Sequence, residues 1–299
     1  MGTNVRQTWK EAMKNKTLYL FISPFYLLFL VFGLFPILFS AYLAVNKWDG
    51  IGELEYVGLS QFEFLFKDPK FYEAVKNTFT IWAMANIPLL CSALVFAFLI
   101  NLSIVRFKDF YRIAFYLPNV TAMVAVVIIF QSFFGNHYGF ANYLLQKIGL
   151  NEIAWLNHKI SVQFIIATMI YWRFLGYNMI IYLAGLQKIP NDLYEAAKID
   201  GATMYDTFSK ITIPMLRPII LFTVMMSTIG GLQIFTEPQV LSTLTSPYPG
   251  SETIVLYLFR EAFKYNNYGY AAAVSWVMFA IIMVISFLNW KLFKPADDR

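Results

Sequence analysis

The sequence predicts an all-α membrane protein that crosses the bilayer six times. The first observation is the composition: 59% of the 299 residues are hydrophobic and only 14% are charged, whereas soluble domains carry about 25% charged residues. The second is a series of long uncharged runs, since a helix needs about 20 apolar residues to cross the hydrocarbon core. The third is a physical exclusion, because the unpaired backbone groups of open strands find no hydrogen-bond partners in lipid.

Six apolar segments account for most of the chain. The first is 29 residues long, whereas the apolar region of a cleaved signal peptide has about 7–15 residues, so we expect it to be retained as a span. Pro24 and Pro36 predict a kink within it. The transmembrane domain is expected over residues 18–294, with tails at 1–17 and 295–299. Its predicted spans are residues 18–46, 77–105, 113–136, 160–187, 218–236 and 267–290.

The distribution of lysine and arginine predicts how the chain is oriented. If the N-terminal tail is cytoplasmic, the cytoplasmic segments hold 14 of these residues and the outer loops hold 8. Because cytoplasmic loops carry an excess of Lys and Arg, both termini and the segment 188–217 are predicted to lie in the cytoplasm. The net charge of +5 then faces the anionic inner leaflet. Membrane lipid, and not nucleic acid, is therefore the expected partner of this charge.

The polar segment 188–217, between the fourth and fifth spans, is predicted to form two short helices with a bend between them. Asp192 is the predicted N-cap of the first helix, and Glu195 follows at capping-box spacing. A narrow apolar stripe recurs at helical spacing on this helix, and it consists of Leu193, Ala196 and Ala197.

The bend and the second helix have their own signals. Gly201 follows the last periodic residues, at the place where a left-handed conformation ends many helices and glycine adopts it without strain. Thr203 and Asp206 have the spacing of a second helix start. Pro214 and Pro218 end the polar segment before the next apolar run.

The same segment carries a family signature. Glu195, Ala196 and Ala197 are followed three residues later by Gly201 and nine residues after that by Ile-Thr-Ile-Pro at 211–214. This pattern resembles the EAA loop of the membrane-spanning subunits of ABC importers, although that family usually has Leu where Ile213 stands. Three further segments resemble the maltose- and glycerol-phosphate-type sugar permeases, so that the likeness covers nearly the whole chain: VGLSQFEFLFKDPKFYEAVKNT, RIAFYLPNVTAMVAVVIIFQSFF and YGYAAAVSWVMF.

The resemblance implies a function and a set of partners. The chain would be the permease subunit of an ATP-driven importer for a sugar or oligosaccharide, in a bacterial or archaeal plasma (inner) membrane. Its partners would be a second homologous permease, two ATPase subunits and an extracytoplasmic solute-binding protein. The EAA loop would dock on the ATPase and couple to it through Leu193, Glu195, Ala196, Ala197, Asp200, Gly201 and Pro214.

The chain itself is predicted to be non-catalytic and to hold neither a cofactor nor a metal. It lacks the G-x-x-x-x-G-K-[ST] loop that binds nucleotide phosphates, so ATP and Mg²⁺ are expected on the partner ATPase. His137 and His158 stand in predicted loops without a second ligand at metal spacing, and Cys91 is the only cysteine.

Arg173 is the one charged residue inside a predicted span. A charge there costs at least about 2.5–3.5 kcal/mol on insertion scales, so its side chain should face protein or water. Tyr177 lies on the same helix face, four residues later. An alternative stays open, in which Arg173 caps carbonyl groups or pairs with a partner subunit and the aromatic residues only fill space. The predicted substrate pathway consists of Asn86, Trp172, Arg173, Tyr177, Asn178, Gln233 and Trp276.

Two other protein classes make different predictions. An ion-coupled secondary transporter or channel would place acidic residues within its spans as coupling sites, and the six predicted spans contain no Asp or Glu. An integral-membrane enzyme would need His or acidic residues clustered at the membrane interface, and the sequence indicates no such cluster.

Overall fold

The computed structural model describes residue 14 and residues 16–102, 104–242 and 247–293. The predicted C-terminal tail and most of the predicted N-terminal tail lie outside the described residues.

The chain divides into two compact units. The first comprises Met1–Phe66 and Glu261–Trp276, and the second comprises Lys67–Arg260 and Val277–Arg299.

The first unit contains the first span, followed by a two-stranded antiparallel sheet and a short helix. Ala44 at the end of the span packs with Ala272 and Ala273 in a small apolar cluster. Gly269 lies so close to this segment that an added Cβ would stand 2.0 Å from the Asn46 carbonyl oxygen. The elements before residue 66 are α1 (Lys16–Ala44), the antiparallel strands β1 (Asn46–Lys47) and β2 (Glu55–Tyr56), and α2 (Ser60–Leu65).

The α1 helix changes its hydrogen-bond register near its middle. A π-helical turn at Leu30–Leu34 separates two α-helical stretches, and Pro36 lies two residues after it. Proline cannot donate the i to i−4 hydrogen bond, and a π turn is one of the few irregularities that a long helix accommodates. The sequence therefore marks the position of this irregularity through Pro36, while Pro24 lies inside regular helix.

The second unit is helical in the residues that the structure describes. Two further helices, α12 (Ile254–Phe263) and α13 (Tyr268–Phe293), contribute residues to both units. The helices that lie wholly in the second unit are α3 (Pro69–Asn101), α4 (Lys108–Val120), α5 (Met123–Phe133), α6 (Phe140–Lys147), α7 (Lys159–Leu186), α8 (Asn191–Ile199), α9 (204–215), α10 (Arg217–Leu232) and α11 (Thr236–Leu241).

The predicted membrane fold is confirmed, and the third and fifth spans differ from the prediction in their details. Five helical segments are long and apolar enough to cross a membrane, and a bent pair makes a sixth if it counts as one span. That pair is α4 and α5, whose axes differ by 94°, so the residues predicted as the third span, 113–136, belong to two helices and not to one. Thr121 and Ala122 are extended at the break, and Pro118 in the preceding turn removes one helix hydrogen bond.

The fifth span extends beyond its predicted end at residue 236. The apolar helical segment runs over Arg217–Leu241 and comprises α10, a short break and α11. This segment includes Glu237, which is buried. The expectation that no span contains an acidic residue is therefore wrong.

Close backbone approaches fix the helices of the second unit against one another. An added Cβ at Gly176 in α7 would stand 1.9 Å from the Phe115 carbonyl oxygen in α4. One at Gly185 would stand 2.3 Å from Ile219 in α10. Small residues allow membrane helices to pack closely, and these two glycines bring α4 and α10 onto α7.

Candidate functional site

The first candidate site is the polar segment that follows α7. Its helix α8 begins after Pro190, which occupies the N-cap without any side-chain hydrogen bond. The prediction of Asp192 as N-cap is wrong, because the helix starts at Asn191 and takes Asp192 into its first turn. The carboxylate there still interacts favourably with the positive end of the helix dipole.

The end of α8 confirms the prediction for Gly201. Its backbone is left-handed, with φ +75°. The Ala202 N–H donates to the Ala197 carbonyl at 2.9 Å, and the Gly201 N–H donates to the Lys198 carbonyl at 3.2 Å. These two bonds form a Schellman motif, which satisfies carbonyl groups at the end of a helix.

The start of α9 confirms the helix start predicted at Thr203 and Asp206, and these two residues form a capping box. The Asp206 N–H donates to the Thr203 hydroxyl at 3.1 Å, and the Thr203 N–H donates to the Asp206 carboxylate at 3.2 Å. Hydrogen bonds to the carboxylate lower the pKa of Asp206 from 3.8 to about 2, and the bond from the Lys210 ammonium contributes more than those from Thr203. A π-helical stretch, Thr207–Thr212, continues α9.

Side chains on the inner side of this segment hold it against the spans. The Tyr194 and Thr212 hydroxyls are 3.2 Å apart, and the rings of Phe98 and Phe208 have centroids 4.9 Å apart. Leu216 is fully buried. All of these residues except Thr212 belong to one apolar cluster formed by α3, α7 and the segment that leads into α10.

The outer side of this segment is exposed and partly apolar. No residue of α8 is buried, and Ile199 and Tyr205 are 85% and 76% exposed. We call Leu193, Glu195, Ala196, Ile199 and Tyr205 the loop surface.

The structure places the seven predicted coupling residues at different depths around this surface. Ala197 is only half-exposed, whereas Leu193, Glu195 and Ala196 are exposed on α8. Asp200 and Gly201 are exposed at its end, and Pro214 is exposed on α9. Ile199 and Tyr205 are absent from the prediction, although Ile199 stands three residues after Ala196 and so extends the apolar stripe.

The second candidate site is a cavity of about 440 Å³ among the helices of the second unit. It contains five of the seven residues predicted for the substrate pathway: Asn86, Arg173, Tyr177, Asn178 and Gln233. The other two lie elsewhere. Trp172 packs against Phe130, with ring centroids 6.0 Å apart, and Trp276 packs on the small apolar cluster of the first unit.

Aromatic rings and neutral polar groups line the same cavity. The rings belong to Phe174, Tyr177, Phe222 and Phe235, and the additional polar side chains belong to Thr223, Ser227 and Thr236. The adjacent glycines Gly230 and Gly231 have different surroundings: an added Cβ at Gly231 would stand 2.6 Å from Asn86, whereas nothing lies within 4 Å of one at Gly230. Gly231 therefore serves close helix packing, and Gly230 leaves open space in the cavity wall.

Arg173 has an acidic neighbour that the sequence did not reveal. Its Nη1 lies 3.9 Å from Oε1 of Glu237, and the two side chains are 24% and 8% exposed. Among the described residues, no hydrogen-bond partner reaches the buried Nε of Arg173. The predicted alternative paired Arg173 with carbonyl groups or a partner subunit, whereas the acidic neighbour found here belongs to the chain itself. The signal for it is Glu237, which comes directly after the predicted fifth span.

Comparisons with known proteins agree over most of the chain. Residues 93–290 match the family described as "Binding-protein-dependent transport system inner membrane component". The arabinooligosaccharides transport system permease protein AraP of Bacillus subtilis (strain 168) is 36% identical over 289 residues, which covers 95% of this chain and 91% of that protein. The lactose transport system permease protein LacF of Rhizobium radiobacter is 38% identical over 286 residues and covers 94% of each chain.

A solved structure has the same fold. It is the crystal structure of a bacterial alginate ABC transporter in complex with an alginate pentasaccharide-bound periplasmic protein. One of its chains superposes with a TM-score of 0.84 at 24% identity, over 96% of both chains.

Proposed function

Since this chain belongs to the family of binding-protein-dependent transport system inner membrane components, it is the permease subunit of an ABC importer, and we propose that it carries a sugar or oligosaccharide. The cavity of the second unit is the observation that carries this proposal. Its aromatic rings offer faces to an apolar side of a sugar ring, and its amide and hydroxyl groups offer hydrogen bonds to sugar hydroxyls. Ligand sites are commonly concave and mostly apolar, with a few polar groups that fix orientation.

We further propose that the loop surface docks on an ATPase subunit. Its exposed apolar residues, Ile199 and Tyr205, stand on short helices that are anchored to α3 and α7 through Tyr194 and Phe208. An amphipathic helix that inserts into a groove is a common way for proteins to bind. Glu195 would then pair with a basic group of the ATPase.

The family and the charge distribution support our proposal for the remaining architecture. The protein crosses the inner membrane several times, and an ATPase and a solute-binding protein belong to such importers. Both termini are proposed to lie in the cytoplasm, with a second homologous permease completing the pathway. The chain is proposed to be non-catalytic, with ATP and Mg²⁺ bound by two ATPase subunits.

The family assignment argues against the alternative of an ion-coupled secondary transporter or channel. The sequence argument against it was the lack of acidic residues in the spans, and Glu237 removes that argument. Glu237, however, lies beside a guanidinium, whereas a carboxylate that exchanges protons or sodium must be free of such a fixed counterion for part of its cycle.

The docking proposal is tested by purifying the tagged chain from its native membrane in a mild detergent and identifying what accompanies it by mass spectrometry. A second permease and an ATPase with a nucleotide-binding loop are expected. Glu195→Lys should lose the ATPase and keep the permease. Glu63→Lys, the same charge reversal on an exposed residue of the first unit, is the matched control and should keep both.

The sugar proposal is tested by uptake into proteoliposomes that contain the complete importer. ATP-dependent accumulation of lactose or an arabinose trisaccharide from the solute-binding protein is expected. Accumulation by this chain alone, without an ATPase and driven by an ion gradient, would contradict the whole assignment.

A further inference from the structure

The strongest unexplained feature of the second unit is the charged pair in the cavity wall. Arg173 comes from α7 and Glu237 from α11, and both side chains line the cavity. The Glu237 side chain is 8% exposed, and acidic residues are almost never buried to this extent unless they are paired. The pair thus places two formal charges at a site where their exposure to water is small.

The geometry of this pair is incomplete. An ion pair between a guanidinium and a carboxylate normally has N···O distances of about 2.7–2.9 Å, whereas Nη1 of Arg173 and Oε1 of Glu237 are 3.9 Å apart. Nε of Arg173 is also buried without a hydrogen-bond partner among the described residues. Buried charges are tolerated when good geometry and further hydrogen bonds satisfy them, so the 3.9 Å gap between Nη1 and Oε1 leaves hydrogen-bonding capacity for a group that enters the cavity.

The chemistry of that group follows from the two charges. A hydroxyl oxygen can stand about 2.8 Å from both atoms, where it accepts a hydrogen bond from Arg173 and donates one to Glu237. A carboxylate has no proton to donate and would be repelled by Glu237. An ammonium group has no acceptor for Arg173 and would be repelled by its charge. Of these three groups, only the neutral hydroxyl satisfies both residues.

We propose that Arg173 and Glu237 form a specificity-determining pair, which binds a hydroxyl of an uncharged sugar and rejects sugars that carry a carboxylate. This inference rests on the proposed function, since it requires that the cavity receives a sugar. The neighbouring rings of Tyr177 and Phe235 and the amides of Asn178 and Gln233 line the same cavity. They surround the pair with neutral groups, so the two charges decide between neutral and anionic ligands.

The test measures ligand binding to the assembled importer without its solute-binding protein, so that the preference recorded belongs to the permease. The complex is immobilised, and binding of tritiated lactose, tritiated arabinose trisaccharide and tritiated alginate trisaccharide is measured by scintillation proximity. The unaltered complex is expected to bind at least one neutral sugar at least tenfold more tightly than the alginate trisaccharide.

Single substitutions should change this preference in different ways. Glu237→Gln removes the repulsion and leaves a guanidinium, so the ratio should move at least tenfold toward the alginate trisaccharide. Arg173→Gln should weaken binding of the neutral sugars at least tenfold without admitting the anion. Glu73→Gln is the matched control, because it makes the same change in an ion pair with Lys159 that is largely exposed, and its ratio should stay unchanged.

A lone buried charge can also prevent assembly, since breaking a buried pair is strongly destabilising. Size-exclusion chromatography of each complex detects this. The double variant Arg173→Gln/Glu237→Gln carries no unbalanced charge and provides the decisive measurement in that case. It should assemble, bind the neutral sugars more weakly and lose their advantage over the anion.

The outcomes separate this inference from the proposed function. Two results would contradict the specificity role of the pair but not the proposed sugar transport. One is that every variant that assembles binds sugar with an unchanged ratio of neutral-sugar to alginate-trisaccharide affinity. The other is that the unaltered complex prefers the alginate trisaccharide. An intact complex that neither binds nor transports any sugar overturns both. The predicted shifts in the variants, with an unchanged Glu73→Gln control, support the pair.

Discussion

Replacing Gly201 with valine should uncouple transport while leaving the chain folded and inserted in the membrane. Gly201 has φ +75°, and nothing lies within 4 Å of an added Cβ. The substitution therefore causes no clash, and its whole cost lies in the backbone. A left-handed conformation costs a non-glycine residue about 1–2 kcal/mol, and valine, as a β-branched residue, is especially poor there.

This cost is large for the element that bears it. The α8 helix has nine residues and none of them is buried, and isolated helices shorter than about 12–15 residues are marginal in water. A penalty of about 1–2 kcal/mol changes a two-state equilibrium by a factor of about 5–30. The population with the Schellman hydrogen bonds broken should rise by that factor, and Ile199, just before the bend, should lose its fixed position.

The assay compares uptake into proteoliposomes, ATP hydrolysis and the amount of ATPase that co-purifies. Gly201→Val should reduce uptake about fivefold or more, and Gly201→Asn should retain most of it, because asparagine tolerates the left-handed conformation. Gly149→Val is the matched control. Gly149 has φ +78° with nothing within 4 Å of an added Cβ, and it ends α6 with the same pair of hydrogen bonds, from Leu150 to Leu145 and from Gly149 to Gln146.

Two results would refute this reasoning. Normal uptake with Gly201→Val would show that the bend does not position the loop surface for coupling. An equal loss with Gly149→Val would show that valine at any left-handed glycine damages the protein, so that the effect at Gly201 carries no information about docking.

Three further predictions concern stability. Gly176→Ala forces a methyl group against the Phe115 carbonyl and should lower the Tm of the purified complex through a cost of about 1–3 kcal/mol or more, whereas Gly230→Ala, with no atom within 4 Å, should leave the Tm unchanged. Asn142→Ala removes the buried amide that is hydrogen-bonded to the Ile153 backbone and the Trp155 indole. The unsatisfied partners should lower the local stability by at least about 2 kcal/mol, which is measured as faster amide hydrogen exchange over 135–157. Unchanged exchange would contradict this role. The pKa of Asp206 falls from 3.8 to about 2 on folding, so its contribution to the capping box is complete above about pH 4 and is lost as the pH falls toward 2. Amide hydrogen exchange at 203–207, corrected for its intrinsic pH dependence, should therefore rise as the pH falls over that interval. The Asp206→Asn variant should abolish this change.

Local signals were sufficient for the end of α8 and the start of α9, but not for the start of α8. The left-handed Gly201 and the helix start at Thr203 and Asp206 depend on residues within four positions of each other, and both are found as predicted. The N-cap at Asp192 is wrong because Pro190, with its fixed φ, already occupies the N-cap two residues before the position that the capping pattern suggests. Two overlapping start signals cannot be ranked from composition alone.

The spans show where hydropathy stops being informative. A window of apolar residues cannot distinguish one straight helix from two that meet at 94°, because both are equally apolar. The burial of Glu237 could not be predicted from hydropathy, because a charged residue at the edge of an apolar run indicates the start of a loop. Only the position of Arg173 in the folded chain explains this burial. The five cavity residues were predictable as polar or aromatic residues at membrane depth, while Trp172 and Trp276 show that such residues also pack against apolar neighbours.

The loop and the cavity are built on the same helices, and this has a mechanical consequence. Phe208 anchors the loop to α3 through Phe98, and α3 carries Asn86 into the cavity wall. Along α10, the Thr223 hydroxyl lies at the cavity and 2.7 Å from the Tyr182 hydroxyl of α7.

Because packed interiors resist gradual deformation, a force applied to the loop surface moves these helices as rigid elements. The cavity must then change shape together with the loop, since its walls are the other parts of the same helices. If the loop surface docks on an ATPase as proposed, its motion reaches the proposed sugar cavity through the helices that the two share.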